Sequence, residues 1–164
     1  MPDKQPLKVL DCFRGNGLIW DEIRIGRDIE ITGIDNRKGL KGQYLQGDNR
    51  KFLTSMDLSQ FHVIDLDAWG IPYDQLTIIF ARGYIGTVFV TFIQSQFGRL
   101  PDGMLHELGY TPAMIKKIPT LFSRNVDRKF KEYLSLHNVH VLNCLSLNNK
   151  HYMAFRLESV VLNT

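Results

Sequence analysis

Carboxylates carry most of the chemistry this sequence can offer, and they recur where apolar runs give way to turns. Asp11 lies just ahead of the turn Gly15-Asn16-Gly17, with Phe13 between them. Asp35-Asn36 ends the run from Glu30, Asp48-Asn49 follows Gly47, and Asp65 and Asp67 end the run from Phe61. Paired glycines let a ligand approach the backbone with no Cβ in the way, and the N–H groups that open a following helix point outward. An acid about 20 residues beyond such a turn accepts hydrogen bonds from ribose hydroxyls, and Asp35 stands at that distance. Asp48 is able to accept from an adenine amino group. Taken singly, Asp11 orients the glycine turn while Asp35 and Asp48 cap helices. Taken jointly, acids after three successive strands beside a glycine turn favour a nucleoside-containing ligand. A dinucleotide is disfavoured, because the third glycine that closes helix onto strand in such sites is replaced by Trp20.

The rest of the chemistry sits in Asp65-Leu66-Asp67-Ala68-Trp69-Gly70-Ile71-Pro72. A strongly apolar strand makes Asp65 costly unless it is hydrogen-bonded. Asp67 is expected to emerge at the sheet edge beside the ligand. Trp69 either offers a face on which a nucleobase stacks, worth about 1–3 kcal/mol, or packs against the following helix as core. Together these segments resemble the motifs of class I S-adenosylmethionine-dependent methyltransferases over nearly the whole chain. Val9–Gly17 is similar to their glycine-rich first motif, Ile34-Asp35 to the ribose-binding acid, and Gly47-Asp48-Asn49 to the adenine-contacting turn. Asp67-Ala68-Trp69 resembles the Asp-Pro-Pro-Tyr type of loop in amino-directed nucleic-acid methyltransferases. The longer string is similar to the Asp-Leu-Asp-Pro-Tyr-Gly-Ser-Pro of tRNA guanine-N2 methyltransferases, with Ala68 where both loop types carry proline. The resemblance implies S-adenosylmethionine as cofactor, held by Asp11, Phe13, Gly15, Asn16, Gly17, Asp35, Asn36, Asp48, Asn49 and Asp65. It also implies methyl transfer to an exocyclic amine of a nucleobase, with Asp67 and the Ala68 carbonyl as acceptors and Trp69 as the stacking surface.

Bringing these residues to one edge takes alternating buried strands and amphipathic helices. Strands are expected at Lys8–Phe13, Glu30–Asp35, Tyr44–Gly47, Phe61–Leu66 and Ile85–Gln94, and helices at Leu18–Arg27, Tyr73–Arg82 and Asn125–His137. Pro101, Pro112 and Pro119 make Gly98–Ser123 irregular, with one or two short helices. Gln96, Phe97, Arg99, His106 and Tyr110 are expected near the substrate entrance. Val139–Leu147 and His151–Leu157 flank Asn148-Asn149-Lys150, a connection so short that the two strands must be antiparallel. The expected fold is α/β: one domain over 1–164, a Rossmann-like doubly wound sheet of seven strands, mostly parallel, closing with an antiparallel hairpin and containing no internal repeat.

Composition sets the outer bounds. A hydrophobic content of 44% argues against disorder, and a net charge of +3 permits a nucleic-acid partner without demanding one. Lys116, Lys117, Arg124, Arg128, Lys129 and Lys131 either touch a phosphate backbone or form a solvated helix face balanced by Asp127 and Glu132. Cys12 and Cys144 suit buried structural roles, and His62, His106, His137, His140 and His151 lack ligand spacing, so no metal site is expected. A basic-then-apolar leader and a bilayer-length apolar run are both missing, which gives the expectation of a soluble cytoplasmic protein without a membrane partner. The chain lacks an obvious target-recognition domain, which leaves room for a separate partner subunit and leaves oligomeric state open. Two alternatives accompany the nucleobase reading: a small-molecule methyltransferase in which Trp69 lines a pocket, and a non-catalytic binding module, for which Ala68 is the main support.

Overall fold

The structure, a computed structural model, describes residues 5–93, 100–118, 124–148 and 150–159. Five strands run parallel: β1 (Leu7–Asp11), β2 (Ile29–Asp35), β3 (Leu45–Gln46), β4 (Val63–Asp67) and β5 (Gly86–Ile93). The hairpin of β6 (Val139–Leu147) and β7 (Lys150–Leu157) joins through β7, antiparallel to β5. Sheet order is β3-β2-β1-β4-β5-β7-β6. The expected architecture is therefore present, with strand order reversing between β1 and β4, where ligands of such sheets bind.

Helices lie on both faces, but unequally. On one face α2 (Asn49–Ser55), α3 (Tyr73–Ala81) and α6 (Val126–Ser135) pack on the inward side chains of β1, β4, β5 and β7. The main core joins Leu10, Ile64, Leu66, Val88, Phe92 and Phe155 to Leu53, Leu76, Phe130 and Leu134. Burying one such side chain removes enough apolar surface to stabilise the fold by about 1.5–3 kcal/mol. Two short helices, α4 (Asp102–Glu107) and α5 (Pro112–Lys117), add Met104, Leu105 and Ile115 to that core. They are the short helices expected in the proline-broken segment; α5 opens with Thr111 accepting from Met114 N–H and Pro112 in its first turn. The opposite face has only α1 (Leu18–Ile23) among the described residues, and its Trp20 makes a small cluster with Val9 and Val63.

Several boundaries move for identifiable reasons. The first helix ends at Ile23 instead of Arg27, because the chain leaves it through turns that include Gly26 at φ +70°. The third strand shrinks to Leu45–Gln46, β4 and β7 shift to Val63–Asp67 and Lys150–Leu157, and α6 loses a residue at its start and two at its end. Helix α2 is seven residues long, too short for a periodicity to stand out; only its cap, Asp48, is legible. Gln94, Gln96, Phe97, Gly98, Arg99, Pro119, Ser123 and Asn149 lie outside the described residues.

Register places the acids in rows. Asp11 is level with Asp65, and the row continues through Phe89 and Ala154 to Asn143. One step nearer the carboxyl edge, Asp67, Thr91, Tyr152 and Leu145 form a second row on the same face. Alternation along each strand sets both rows opposite the main core, on the side of α1.

Candidate functional site

One end of the cleft is built by β2, β3 and the start of α2. A cavity of about 300 Å³ lies there, lined by Cys12, Phe13, Asp35, Asn36, Gly47, Asp48, Asn49, Arg50 and Gln75. Every acid there is matched by an arginine two residues on. Asp35 accepts from the backbone N–H groups of Gly15 (2.9 Å) and Arg37 (2.9 Å) and from the Arg37 guanidinium at 3.1 and 3.0 Å. That fork holds the Asp35 carboxyl down at about 2. Asp48 caps α2 by accepting from Arg50 N–H and also takes the Arg50 guanidinium at 2.8 Å, which in turn reaches Asp74 at 3.2 Å. The Arg50 fork lowers the Asp48 pKa. The cap role of Asp48 is thus present together with its place in the cavity wall. Asn49 donates to the Cys12 carbonyl (2.8 Å) and accepts from Gln75 (2.9 Å), which ties β1, α2 and α3 together.

The glycine turn forms the middle of the cleft. Gly15 and Gly17 adopt φ of +55° and +73°, the left-handed region that other residues rarely enter. Gly17 caps the start of α1, and its N–H donates to the Arg14 carbonyl at 2.9 Å. Arg14 fixes the neighbouring loop: its side chain crosses Gly33, where a Cβ would lie 2.0 Å from Arg14 Cδ, and donates to the Lys41 carbonyl at 2.7 Å. A second cavity of about 300 Å³ is lined by Asp11, Phe13, Gly15, Asn16, Gly17, Asp65, Asp67 and Trp69 among others, and Phe13 borders both spaces.

At this end no ion pair holds the acids, among the described residues. Asp11 is 4% exposed, and burial with Asp65 beside it raises its carboxyl to about 7. Asp65 is raised to about 6, chiefly by burial, despite accepting from the Trp20 indole N–H at 2.7 Å. Adjacent parallel strands lie about 5 Å apart, so two level carboxylates resist simultaneous ionisation. Trp20, standing in place of a third glycine, therefore does two things: it fills the space between α1 and β1–β4, and it satisfies Asp65.

Beyond them comes the loop. The Ala68 side chain is buried, and its N–H donates to the carbonyls of Leu66 (3.0 Å) and Thr91 (2.9 Å), a restraint that proline at this position would lack. Trp69 is 88% exposed. It is not a core residue. Asp67 and Trp69 share the cavity lined by the glycine turn, and every expected site residue except Ala68 lines one of these two spaces.

Sequence reasoning missed Arg37, Arg50, Gln75 and Arg14. For the first two a signal exists: Asp-Asn-Arg-Lys occurs at 35–38, at the end of β2, and again at 48–51, at the start of α2. The basic stretch is dispersed, since Arg128 pairs with Glu132 and Lys129 is buried with its ammonium donating to the Arg124 carbonyl at 2.7 Å. Burial pushes the Cys12 thiol up, which suits a structural role. Among the described residues there is no metal-binding group of acids, histidines or cysteines, and no helix is long and apolar enough to cross a membrane.

No family model and no curated protein matches the chain. Solved structures do. In the complex between the Haloferax volcanii Trm112 methyltransferase activator and its candidate methyltransferase, a chain is 12% identical with a TM-score of 0.60, over 97% of this chain and 86% of that one. The Burkholderia thailandensis 1,6-didemethyltoxoflavin-N1-methyltransferase, with bound 1,6-didemethyltoxoflavin and S-adenosylhomocysteine, is 10% identical at TM-score 0.58, over 94% and 72%. A SAM-dependent methyltransferase from Archaeoglobus fulgidus is 12% identical at TM-score 0.55, over 92% and 86%. At these identities the likeness is one of fold: the chain has the architecture found in S-adenosylmethionine-dependent methyltransferases.

Proposed function

We propose that this chain binds S-adenosylmethionine along the carboxyl edge of β1, β2 and β3 and transfers its methyl group to an amino nitrogen of a nucleobase in DNA or RNA. The observation that carries this reading is the exposed Trp69 beside Asp67, on a loop pinned to the sheet where the glycine-turn cavity opens. An indole held in solvent is a stacking surface for a planar acceptor, and openness suits a base on a polymer better than an enclosed small molecule.

The residues fit the cofactor with one adjustment. Asp35 is ionised and faces the first cavity, yet Arg37 and Gly15 N–H fill its acceptor positions, so ribose hydroxyls replace the fork of the exposed Arg37. Asp48 and Asn49 line the adenine end, and Asp11 and Asp65 form a negative floor that complements a sulfonium and an ammonium. When bound, the cofactor supplies an electrophilic methyl: the N–C bond forms as the S–C bond breaks, sulfur leaves as a neutral thioether, and nitrogen sheds one proton. Asp67 accepts a hydrogen bond from the amine and aims its lone pair, while Trp69 holds the ring, so rate comes from positioning. A separate subunit for target recognition fits this reading, and one structural relative is itself in complex with a methyltransferase activator.

The test is calorimetric titration with S-adenosylhomocysteine against NAD as control, followed by labelled methyl transfer to RNA and DNA. Selective binding weakened about 10–100-fold in Asp35→Ala is expected, from loss of a charged acceptor. Absence of binding at about 1 mM ligand overturns the cofactor assignment. Binding with transfer only to small amines overturns the nucleobase.

A further inference from the structure

The face of the sheet beside α1 is apolar and bare beyond that helix, among the described residues. Its floor is Phe89, Ala154, Tyr152 and Leu145, its wall is Ile19 and Ile23, and the trough between them holds about 430 Å³. Phe89 is 37% and Leu145 53% exposed. The floor belongs to the antiparallel end of the sheet, where one face can meet water, but an exposed apolar trough of this size marks a surface that another molecule covers.

Helix α1 shows what the cover is. It buries Trp20 alone and exposes Leu18 and Ile19, 73% and 61% respectively, so it is apolar away from its own sheet as well as toward it. Ile19, Glu22 and Ile23 share one helical face by their i, i+3, i+4 spacing. An apolar ridge beside an apolar trough on the same chain is self-complementary, the condition for a closed two-fold contact. Charge agrees. The ridge carries Glu22, with Asp21 already paired to Arg24, whereas the β7 positions that alternate onto the floor include Lys150, with Arg156 already paired to Glu158. Among the described residues no ion pair engages the Glu22 or Lys150 side chain, and the Lys150 ammonium lies 4.9 Å over the Tyr152 ring.

We infer that a second copy of this chain covers the face, with the α1 ridge of each copy seated in the trough of the other about one two-fold axis. The inference does not rest on the proposed methyl transfer, although Asp65 and Asp67 also line the trough and Ile19 also borders the glycine-turn cavity.

Sedimentation equilibrium of the purified full chain across the micromolar range tests it, with circular dichroism as a check on folding. The expected result is a monomer–dimer equilibrium without larger species. Ile19→Glu yields a folded monomer. Glu22→Lys and Lys150→Glu each weaken the dimer about tenfold, and the double exchange restores it, because every copy then carries both reversed charges. A monomer at all concentrations overturns the inference and assigns the face to a different partner. Open-ended association overturns it too, as does a double variant no tighter than the singles.

Discussion

The two ends of the cleft use the same residue type in opposite electrostatic states. At the end built by β2 and β3, Asp35 and Asp48 each carry an arginine fork, and both carboxyls sit below their ordinary value. At the other end, Asp11 and Asp65 are buried without an ion pair among the described residues and are raised to about 7 and about 6. The first pair is neutralised by the protein itself, so it suits a polar, uncharged group such as a sugar. The second pair holds unspent negative potential, which suits a cation. Position in the sheet makes the difference: β2 and β3 end at its exposed margin, where long arginine side chains can fold back, while β1 and β4 are central.

The contrast can be broken hardest at Asp67. Asp67→Ala is expected to lower methyl transfer at least about 100-fold while leaving S-adenosylhomocysteine affinity within about threefold, because the proposed reading gives its hydrogen bond to the acceptor. Parallel loss of both in kinetics and calorimetry removes Asp67 from the acceptor side.

The next effect concerns pH. For Asp11 and Asp65 the folded pKa exceeds the unfolded one, so between about pH 4 and 7 the unfolded chain has released protons that the fold retains. Their contribution to stability is full below about pH 4 and is lost as pH rises through 6–7. Chemical denaturation across that window should show the decline, and Asp11→Asn should flatten it. A cationic ligand reverses the preference, so affinity for S-adenosylmethionine should climb over the same interval.

Smaller still, Trp69→Ala is expected to raise the acceptor KM by the equivalent of about 1–3 kcal/mol with a barely altered melting temperature, since the ring is 88% exposed and stacks on nothing among the described residues. A large fall in melting temperature would return Trp69 to a structural role. Smallest is Arg37→Gln. An exposed pair contributes about 0–1 kcal/mol, so freeing Asp35 should tighten S-adenosylhomocysteine no more than about fivefold and reduce its salt dependence.

The seven strands, the closing hairpin and the clustering of acids at one edge were legible because each strand is a short apolar run bounded by turn residues, and Asn148–Lys150 permits only an antiparallel return; the order of the strands in the sheet was not. The glycine turn was equally plain. What escaped was side-chain pairing across or along the edge. Nothing in periodicity says that Arg37 folds back on Asp35, though the repeated Asp-Asn-Arg-Lys hints at it once noticed. The role of Trp20 needed the third dimension, because its partner Asp65 is 45 residues away and is brought near only by the pairing of β1 with β4. The fate of Trp69 was undecidable from composition: a tryptophan after a buried strand reads the same whether it turns inward or outward.

The placement of the tryptophans also gives the molecule two built-in optical reporters. The chain has two tryptophans: Trp20 is buried against Asp65 and Trp69 stands in solvent. Emission from the first should lie to the blue, resist iodide and respond to titration of its carboxylate partner, whereas the second should emit to the red and be quenched freely. Single-tryptophan variants would then allow ligand entry at the cation end and acceptor docking at the loop to be followed separately, in real time and without a label.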